Sequence, residues 1–225
     1  MAKVRSNAHL YLTQTGDAAP LAEALTSVTK ANPSVMTLAT ANPDMAAGDF
    51  GLIEGTDDPH LDGKAFRFGA IGGAGTTAEL SDFDGEQMAA DATGGTVQIF
   101  DPVDEGDGLL EACMANITVN GQAPDSINLD DMCDQTTVLG APKPPTFTFT
   151  GWVNQDSAGF KNLIQASLES PKTARYMLID YGDDAGYIFG PVEIGEVSVT
   201  AGVNAGLQFT GTGVFKEVPT YSWAL

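Results

Sequence analysis

One stretch of the chain, residues 146–168, restricts the fold more than any other, and it reads TFTFTGWVNQDSAGFKNLIQASL. Its first eight residues alternate, so Phe147 and Phe149 share one face of a strand while the intervening threonines share the other. A polar break follows, in which Asp156 or Ser157 can cap the start of a helix. The stretch therefore predicts a strand followed directly by a helix.

The predicted helix has one apolar side. Phe160, Leu163, Ile164 and Leu168 recur at helical spacing and form a stripe about 100° wide. Pro171 ends the helix, because proline cannot continue it. A helix with a single apolar stripe buries that stripe against another element, so we expect these four side chains to pack on the flank of a β-sandwich.

Most other apolar stretches are short, alternate with polar residues and end near glycine or proline, as strands do. They are the segments 4–15, 64–71, 96–102, 175–181, 187–201 and 205–215. The segment 108–119 fits both helix and strand spacing. Many short strands with glycine and proline turns and one helix predict a mainly β fold, a β-sandwich with one flanking α-helix, long loops and an arm.

The length of 225 residues suits one large all-β domain or two small ones, and we take residues 1–225 as a single domain. Within it, residues 26–60 contain a strand-like VMTL but are interrupted by Pro33 and Pro43. We therefore expect an extended arm or long loop at 26–60.

Charge is distributed unevenly along the chain. The net charge is −20, and residues 44–134 contain 20 acidic and two basic residues, which gives −18. This field repels nucleic-acid phosphate, so specific DNA binding is not expected. Acidic residues on solvated loops explain much of the pattern by themselves. No apolar run is long enough to span a bilayer, and the N-terminus lacks a signal-peptide pattern, so we expect a soluble protein made in the cytosol.

Residues able to carry chemistry are few. His9 and His60 have no partner at metal-ligand spacing, and Cys113 and Cys133 form neither a CxxC pair nor a disulfide framework. Whether the two cysteines pair is left open. We predict no catalytic residue, no cofactor and no metal ligand.

Three loops resemble known binding motifs only in part. Residues 69–77 are glycine-rich but lack the Lys-Ser/Thr ending of a phosphate-binding loop. Residues 81–87 and 101–108 resemble fragments of calcium loops without the closing Glu. We interpret all three as solvated loops, with a weak calcium site as the alternative for the two acidic ones.

The C-terminal half resembles the major tail proteins, the tail tube subunits of bacteriophages with long non-contractile tails. The resemblance rests on residues 127–166, INLDDMCDQTTVLGAPKPPTFTFTGWVNQDSAGFKNLIQA, on YIFGPVEIGEV (187–197) and on AGVNAGLQFTGTGVF (201–215). The first strand, AHLYLTQTGDAAP (8–20), is also similar. Residues 44–122 match nothing in this family and form an acidic insertion or loop region within the domain.

This resemblance implies a non-enzymatic structural protein of the virion tail, assembled in the host cytoplasm. Its partners would be copies of itself in stacked hexameric rings, other tail proteins at the tube ends, and DNA that passes without specific binding. The family's tube lumen is typically acidic, but the resemblance does not assign lumen-facing residues. Neither does it imply a membrane partner.

Two other functions stay open from the residues themselves. The chain could be an acidic β-sandwich binding module for a glycan or calcium, or a small hydrolase that uses a pair of carboxylates. Three measurements would distinguish these functions from that of a polymerising subunit. They are the particle size of the purified protein, a melting temperature that shifts with calcium or sugar, and an activity that is lost when one carboxylate is replaced.

Overall fold

A computed structural model describes residues 9–14, 20–103, 109–112, 114–122, 126–131, 134–139, 143–181, 186–201 and 206–222. The described residues form a mainly β structure with one α-helix, which confirms the predicted fold class. The elements are β1 (His9–Thr13), β2 (Ala22–Val28), β3 (Ser34–Leu38), β4 (Phe50–Glu54), β5 (Lys64–Gly72), β6 (Thr77–Leu80), β7 (Ala92–Thr93), β8 (Thr96–Phe100), β9 (Pro102–Val103), β10 (Leu109–Ala112), β11 (Met114–Gln122), β12 (Ser126–Asp131), β13 (Asp134–Leu139), β14 (Lys143–Trp152), α1 (Ala158–Leu168), β15 (Arg175–Asp180), β16 (Tyr187–Ala201), β17 (Leu207–Phe215) and β18 (Thr220–Ser222).

The largest sheet has nine strands in the order β11-β14-β17-β16-β15-β1-β10-β9, and β18 also pairs with β16. All of its pairs are antiparallel except β9 with β10. The alternation read from the sequence is present, since Phe147 and Phe149 are buried in one core. The threonines between them lie on the opposite face of β14, where Thr148 is exposed.

This sheet curls around its core. In α1, the backbone at Gly159 lies against the Glu111 carbonyl of β10, where an added Cβ would come within 1.8 Å. The next residue, Phe160, has its ring centroid 5.1 Å from that of Phe209 in β17. Four strand steps separate β10 from β17, about 19 Å in a flat sheet. Only a strongly curled sheet lets adjacent residues of one helix contact both strands, so the halves of the sheet enclose one core.

The helix begins as predicted, because the Ser157 side chain accepts a hydrogen bond from the Phe160 amide at 3.3 Å. Phe160 and Leu163 lie in the core, and Ile164 is half-buried at its margin. Leu168, which was expected in the same stripe, is 78% exposed. It is the last residue of α1 and continues the side of Ile164, which already lies at the edge of the contact; Ala166 is buried instead.

A buried arginine fixes the helix to the sheet. Arg175 is 4% exposed, forms an ion pair with Glu169, and donates hydrogen bonds to the Asn162 side chain at 3.2 Å and the Thr13 carbonyl at 3.0 Å. Asn162 in turn donates to the Leu12 carbonyl at 3.2 Å. These hydrogen bonds connect α1, β1 and β15 where no apolar side chain could satisfy the backbone groups.

A second sheet closes into a small barrel. Its order is β3-β6-β5-β4-β8-β2-β7, and the additional pairing of β2 with β3 joins the ends of six of these strands into a ring of antiparallel pairs. The interior is filled by buried apolar side chains, among them Val28, Met36, Ile53, Phe68 and Val97.

The barrel corrects two expectations. Residues 26–60 are not an arm or long loop, since they contain most of β2 and all of β3 and β4. Pro33 and Pro43 lie in the bends between strands, where they interrupt no pairing. The described part of 44–122 is likewise mostly strand, because short pairings around a closed ring stabilise segments whose own sequence signal is weak.

The barrel is inserted between two neighbouring strands of the large sheet. The chain leaves β1 at Thr13 and returns in β10 at Leu109, which is the residue opposite Thr13 in the antiparallel pair. The two β units share a third buried core, which consists of Phe50, Leu52, Ala65, Phe100, Leu109, Leu178, Tyr187 and Phe189. The single domain of residues 1–225 therefore stays a prediction.

Polar contacts at this shared core fix the barrel against the sandwich. The Tyr187 hydroxyl donates to the Ala65 carbonyl at 2.9 Å. Arg67 of β5 pairs with Asp180 of β15 at 2.7 Å, and its guanidinium lies 5.2 Å from the Phe50 ring centroid. Because both partners of the ion pair are largely buried, its loss would leave one charge without compensation.

The two ends of the predicted helical stripe provide a matched stability test. Leu163→Asp places a carboxylate in the sandwich core and should lower the free energy of unfolding by about 3–5 kcal/mol. Leu168→Asp, at the exposed end of the same helix, should change it by less than about 0.5 kcal/mol. Urea unfolding followed by circular dichroism measures both values. Equal effects of the two substitutions would contradict the placement of α1.

Asp49 should make stability depend on pH. Burial raises the pKa of its carboxyl to about 6, aided by the charge of Asp101, although the Ala46 amide donates to it at 2.7 Å. Since the folded protein holds this proton more tightly than the unfolded chain, the contribution is present below pH 4 and is lost as the pH rises through 6.

The test of this effect is Asp49→Asn, which removes the titration. The variant should gain on the order of 2 kcal/mol of stability relative to the unmodified protein between pH 4 and pH 7. Thermal or urea unfolding across this pH range measures the difference. Asp44→Asn, an exposed neighbour in the same loop, is the control and should follow the unmodified protein.

Candidate assembly surfaces

The outer edge of β11 is open. This nine-residue strand ends the large sheet and pairs with β14, and within the described ranges no strand pairs with its other side. Its sequence, MANITVNGQ, contains no charged residue and no proline. Natural proteins usually protect an exposed sheet edge with charged residues or proline, because its unpaired amide and carbonyl groups recruit further strands. The β11 edge is therefore available for pairing with another chain.

The outward face of this half of the sheet has an unusual composition. It consists of the side chains opposite the sandwich core on β11, β14, β17 and the second half of β16, which we name the hydroxyl face. Its members are Asn116, Thr118, Asn120, Thr146, Thr148, Thr150, Trp152, Ser198, Thr200, Gln208, Thr210, Thr212 and Val214. Eleven of these thirteen side chains carry a hydroxyl or an amide, and none is charged.

The register of the strand pairs places these polar side chains in rows across the sheet. Thr118 lies opposite Thr148, which lies opposite Thr212. In the next row, Thr150 faces Thr210. The same outward side also carries charge on β16, where Glu193 lies opposite Val214 and pairs with Lys216 at 2.8 Å, and Glu196 is exposed beside a β-bulge.

One end of the same strands exposes apolar side chains. Trp152, Val199 and Leu207 are 52%, 50% and 39% exposed, and we name these three residues the end patch. The Trp152 ring lies over Gly206, where an added Cβ would come within 3.2 Å of it. The Val153 amide donates to the Leu207 carbonyl at 2.9 Å, which holds this end of the sheet in place. The strand register places Val199 and Leu207 on the core side of the sheet and Trp152 on the opposite side, so the three form an apolar rim at this end of the strands. An exposed apolar rim is a candidate contact surface.

Strands β12 and β13 form a two-stranded sheet of their own. Its six residue pairs run from Ser126 with Leu139 to Asp131 with Asp134, and in the described residues it joins neither sheet. An isolated two-stranded hairpin is at best marginally stable in water. Contact with another element or another chain would therefore stabilise it.

The barrel segment carries half of the net charge, and the other 141 residues carry the other half. Residues 20–103 contain 13 acidic and three basic residues, a net charge of −10. Some of these carboxylates accept backbone hydrogen bonds. Asp57 accepts from the Thr93 amide of β7 at 2.8 Å, and Asp84 accepts from the Glu86 amide at 3.0 Å within a turn. The hydrogen bonds from the Thr93 amide and hydroxyl hold the pKa of Asp57 below its usual value. These two carboxylates therefore have structural partners.

The residues considered for chemistry are not brought together. His9 pairs with Glu111, and His60 pairs with Asp58 at 2.8 Å in a separate loop. Cys113 and Cys133 lie outside the described residues. In the described part of the chain no three His, Cys, Asp or Glu side chains gather as a metal site. Over the same residues no helix is long and apolar enough to cross a bilayer.

The loops that resemble binding motifs have local explanations where the structure describes them. The glycine-rich segment 69–77 forms the turn between β5 and β6, and the amides of Gly75 and Thr76 donate to the Gly72 carbonyl at 3.1 Å. In the segment 81–87, Asp84 caps a short 3-10 turn. The segment 101–108 lies mostly outside the described residues.

A cleft of about 370 Å³ lies between the barrel and the sandwich, lined by residues that include Glu54, Tyr176, Lys216 and Glu217. Lys216 is already paired with Glu193. Burial raises the pKa of the Tyr176 hydroxyl, and the charges of Glu54 and Glu217 raise it further, so this group stays protonated. The lining does not combine a nucleophile with a base in the manner of a hydrolase.

Comparison with solved structures gives matches to tail proteins. A chain in the tail of an empty gene transfer agent particle with C6 symmetry has a TM-score of 0.42 and 12% identity, over 55% of this chain and 92% of that one. A chain in the virion of a native gene transfer agent has a TM-score of 0.40 and 11% identity, over 49% and 85%. The SPP1 tail tube has a TM-score of 0.37 and 15% identity, over 56% and 75%.

With TM-scores below 0.5 and identities of 11–15%, these similarities do not assign a function to this chain. No protein-family model matches the chain, and no curated protein matches it.

The end patch is tested by making it polar. Val199→Ser with Leu207→Ser should change the free energy of unfolding by less than about 1 kcal/mol, because both side chains are already half exposed. Self-association at high protein concentration should fall, as measured by sedimentation velocity. Leu21→Ser is the control, since Leu21 is 89% exposed outside the patch and should leave association unchanged. Unchanged association of the double variant would exclude the end patch as a contact.

Proposed function

We propose that this chain is a tail tube subunit: a non-enzymatic structural protein that polymerises into stacked rings through which a viral genome passes. The resemblance of residues 123–217 to the major tail proteins of long-tailed phages suggests this role. The ring would contain six copies, as that resemblance implies. Its location would be the virion tail, after assembly in the host cytoplasm.

The observation that carries the proposal is the open edge of β11. Nine residues without charge or proline end a curled sheet in a protein that carries 40 charged residues elsewhere. Such an edge invites aggregation unless a partner strand covers it. A neighbouring copy of the chain supplies that partner, and closing the ring removes free edges from the assembly.

Two further surfaces fit stacking or lateral contacts between copies. The end patch exposes apolar area that association would bury. The β12–β13 hairpin pairs with neither sheet in the described residues and would gain stability from a strand of a neighbouring copy. Other tail proteins would use the same surfaces at the tube ends, where the last ring has no further copy above or below it.

The net charge of −20 supports passage of DNA without specific binding. A protein that binds DNA does so mainly by releasing counterions from phosphates with basic side chains. This chain has only ten basic residues, and Arg67, Arg175 and Lys216 are held in ion pairs with acidic side chains.

Charging the β11 edge tests the proposal. Asn116→Lys with Thr118→Lys puts two charges on the edge strand and should prevent tubes in negative-stain images of concentrated protein. Thr210→Lys with Thr212→Lys adds the same charges to the same face on the interior strand β17 and should leave tubes intact. Circular dichroism checks that both variants fold.

Two outcomes would contradict the proposal. Unmodified protein that forms no rings or tubes at any concentration would exclude a tube subunit, and a melting temperature raised by calcium or sugars would then favour the binding-module alternative. Equal tube formation by both lysine variants would exclude pairing at the β11 edge.

A further inference from the structure

Asn120 is followed by a glycine in the edge strand β11, and the chain contains no other Asn-Gly pair. Asparagine is a thermolabile residue, because its side-chain amide is lost when the next backbone nitrogen attacks it. Glycine hinders this attack least of all residues, since it has no Cβ beside the nitrogen. The pair therefore marks one place in β11 where the chain can change covalently without an enzyme.

The structure leaves this pair accessible. The Asn120 side chain is exposed on the hydroxyl face, and Gly121 is exposed beside it. A Cβ built on Gly121 would meet no atom within 4 Å, so there is room for the ring that the attack forms. Within the described ranges no strand covers the outer side of β11.

The pairing of β11 with β14 is irregular at this point. Asn120 lies opposite Thr146, but the register shifts before the next pair, and Gly121 has no opposite residue in the described ladder. The residues that precede Thr146 in β14 are Pro144 and Pro145, whose nitrogens carry no hydrogen to donate.

This irregularity allows the backbone to move. A regular strand holds the ψ angle of Asn120 near its extended value and keeps the Gly121 nitrogen away from the side-chain carbonyl. Here the strand shifts register close to its end at Gln122. Strand ends open locally at little cost in free energy, so the attacking geometry is within reach.

We infer that Asn120 deamidates through Gly121 in the unassembled subunit, and that a copy carrying the product no longer pairs at the β11 edge. The modification follows from the chemistry and surroundings of these two residues. Its effect on pairing rests on the proposed function. Assembly in turn protects Asn120, because a second ladder of hydrogen bonds on the open side would hold its backbone extended.

The reaction needs only water. The deprotonated amide nitrogen of Gly121 attacks the side-chain carbonyl carbon of Asn120, and the new carbon–nitrogen bond closes a five-membered succinimide ring. The bond between that carbon and the side-chain nitrogen breaks, and the nitrogen leaves as ammonia after taking up a proton. Water then opens the ring at either carbonyl and yields aspartate or isoaspartate. The net change is one water consumed and one ammonia released, without oxidation or reduction.

Both products oppose pairing. Each adds a carboxylate to a strand that has no charged residue, and charge is one of the means by which proteins keep sheet edges from pairing. The new charge adds to a subunit net charge that is already −20, so neighbouring copies repel more strongly. Isoaspartate also inserts a carbon into the main chain, which displaces the following amide and carbonyl groups from the spacing of a ladder. Unassembled subunits therefore lose the ability to assemble as they age.

The first experiment ages dilute, unassembled protein in mildly alkaline buffer and follows deamidation by mass spectrometry of peptides. Asn116 is the internal control, because it lies on the same strand and face, is also exposed, and is followed by the β-branched Ile117. Deamidation at Asn120 should be many-fold faster than at Asn116, with isoaspartate among the products. Equal rates at the two positions would overturn the inference.

A variant of the neighbouring glycine tests the route. Gly121→Ala should slow deamidation of Asn120 several-fold, because its Cβ hinders the attacking nitrogen. The protein should still fold, since that Cβ meets no atom within 4 Å, and circular dichroism checks this. An unchanged rate in the folded variant would overturn attack by this nitrogen.

A second experiment measures the effect on pairing. Asn120→Asp reproduces one product and should form fewer tubes in negative-stain images than Asn120→Gln, which keeps a neutral amide and resists the ring closure. Thr210→Asp adds the same charge to the same face on the interior strand β17 and should form tubes normally. Equal tube formation by Asn120→Asp and Asn120→Gln would overturn the effect on pairing.

Aged protein gives the same test without substitutions. Tubes grown from a partly deamidated sample should contain less modified Asn120 than the protein left in solution, and deamidation should slow in finished tubes. Equal modification in tubes and in solution would overturn the effect on pairing. Absence of tubes from fresh unmodified protein would overturn the proposed function and the effect on pairing with it, whereas fast deamidation at Asn120 would still establish the modification site.

Discussion

The structure depends on the curling of one nine-stranded sheet around a single apolar core. Curling lets the two halves of the sheet bury their inner faces against each other, and α1 closes the side because its first residues contact both β10 and β17. Arg175 holds that closure by connecting the helix to two strands through hydrogen bonds and an ion pair with Glu169. The buried charge is tolerated because a carboxylate and several acceptors surround it.

The inner face of the sheet is buried in the core. The alternation of side chains along each strand then determines which residues lie on the outer face. Aromatic side chains on the outer face of β16 create a surface that must be covered, and the barrel covers it. Threonines and amides on the outer faces of β14 and β17 create a hydrated surface that needs no cover. Because successive side chains of a strand point to opposite faces, the same strands provide the core, the surface that the barrel covers, and the open polar face.

Sequence reasoning identified the sandwich better than the barrel. The alternation of β14, the cap at Ser157 and the burial of Phe160 and Leu163 follow from local pattern. Of the barrel strands, β5 and β8 were predicted from the segments 64–71 and 96–102, but β3 and β4 lie in a segment that was interpreted as an arm because Pro33 and Pro43 interrupt it. Leu25 and Met36 are buried only because β2 and β3 pair and close the ring, which no local pattern encodes. The exposure of Leu168 was missed for a similar reason, since helical spacing does not reveal where the sheet ends.

The sequence alone determined the mainly β class, the position of the one helix in the described chain, the excess of negative charge and the resemblance to tail tube proteins. These properties reside in local periodicity and composition, which a chain carries before it folds. Tertiary structure alone decided that residues 22–100 form a closed barrel between β1 and β10, that β11 ends the sheet with an open edge, and that threonine and amide side chains gather on one outer face. Each of these depends on pairing between strands far apart in the chain, and the partners of a strand are chosen by the whole fold.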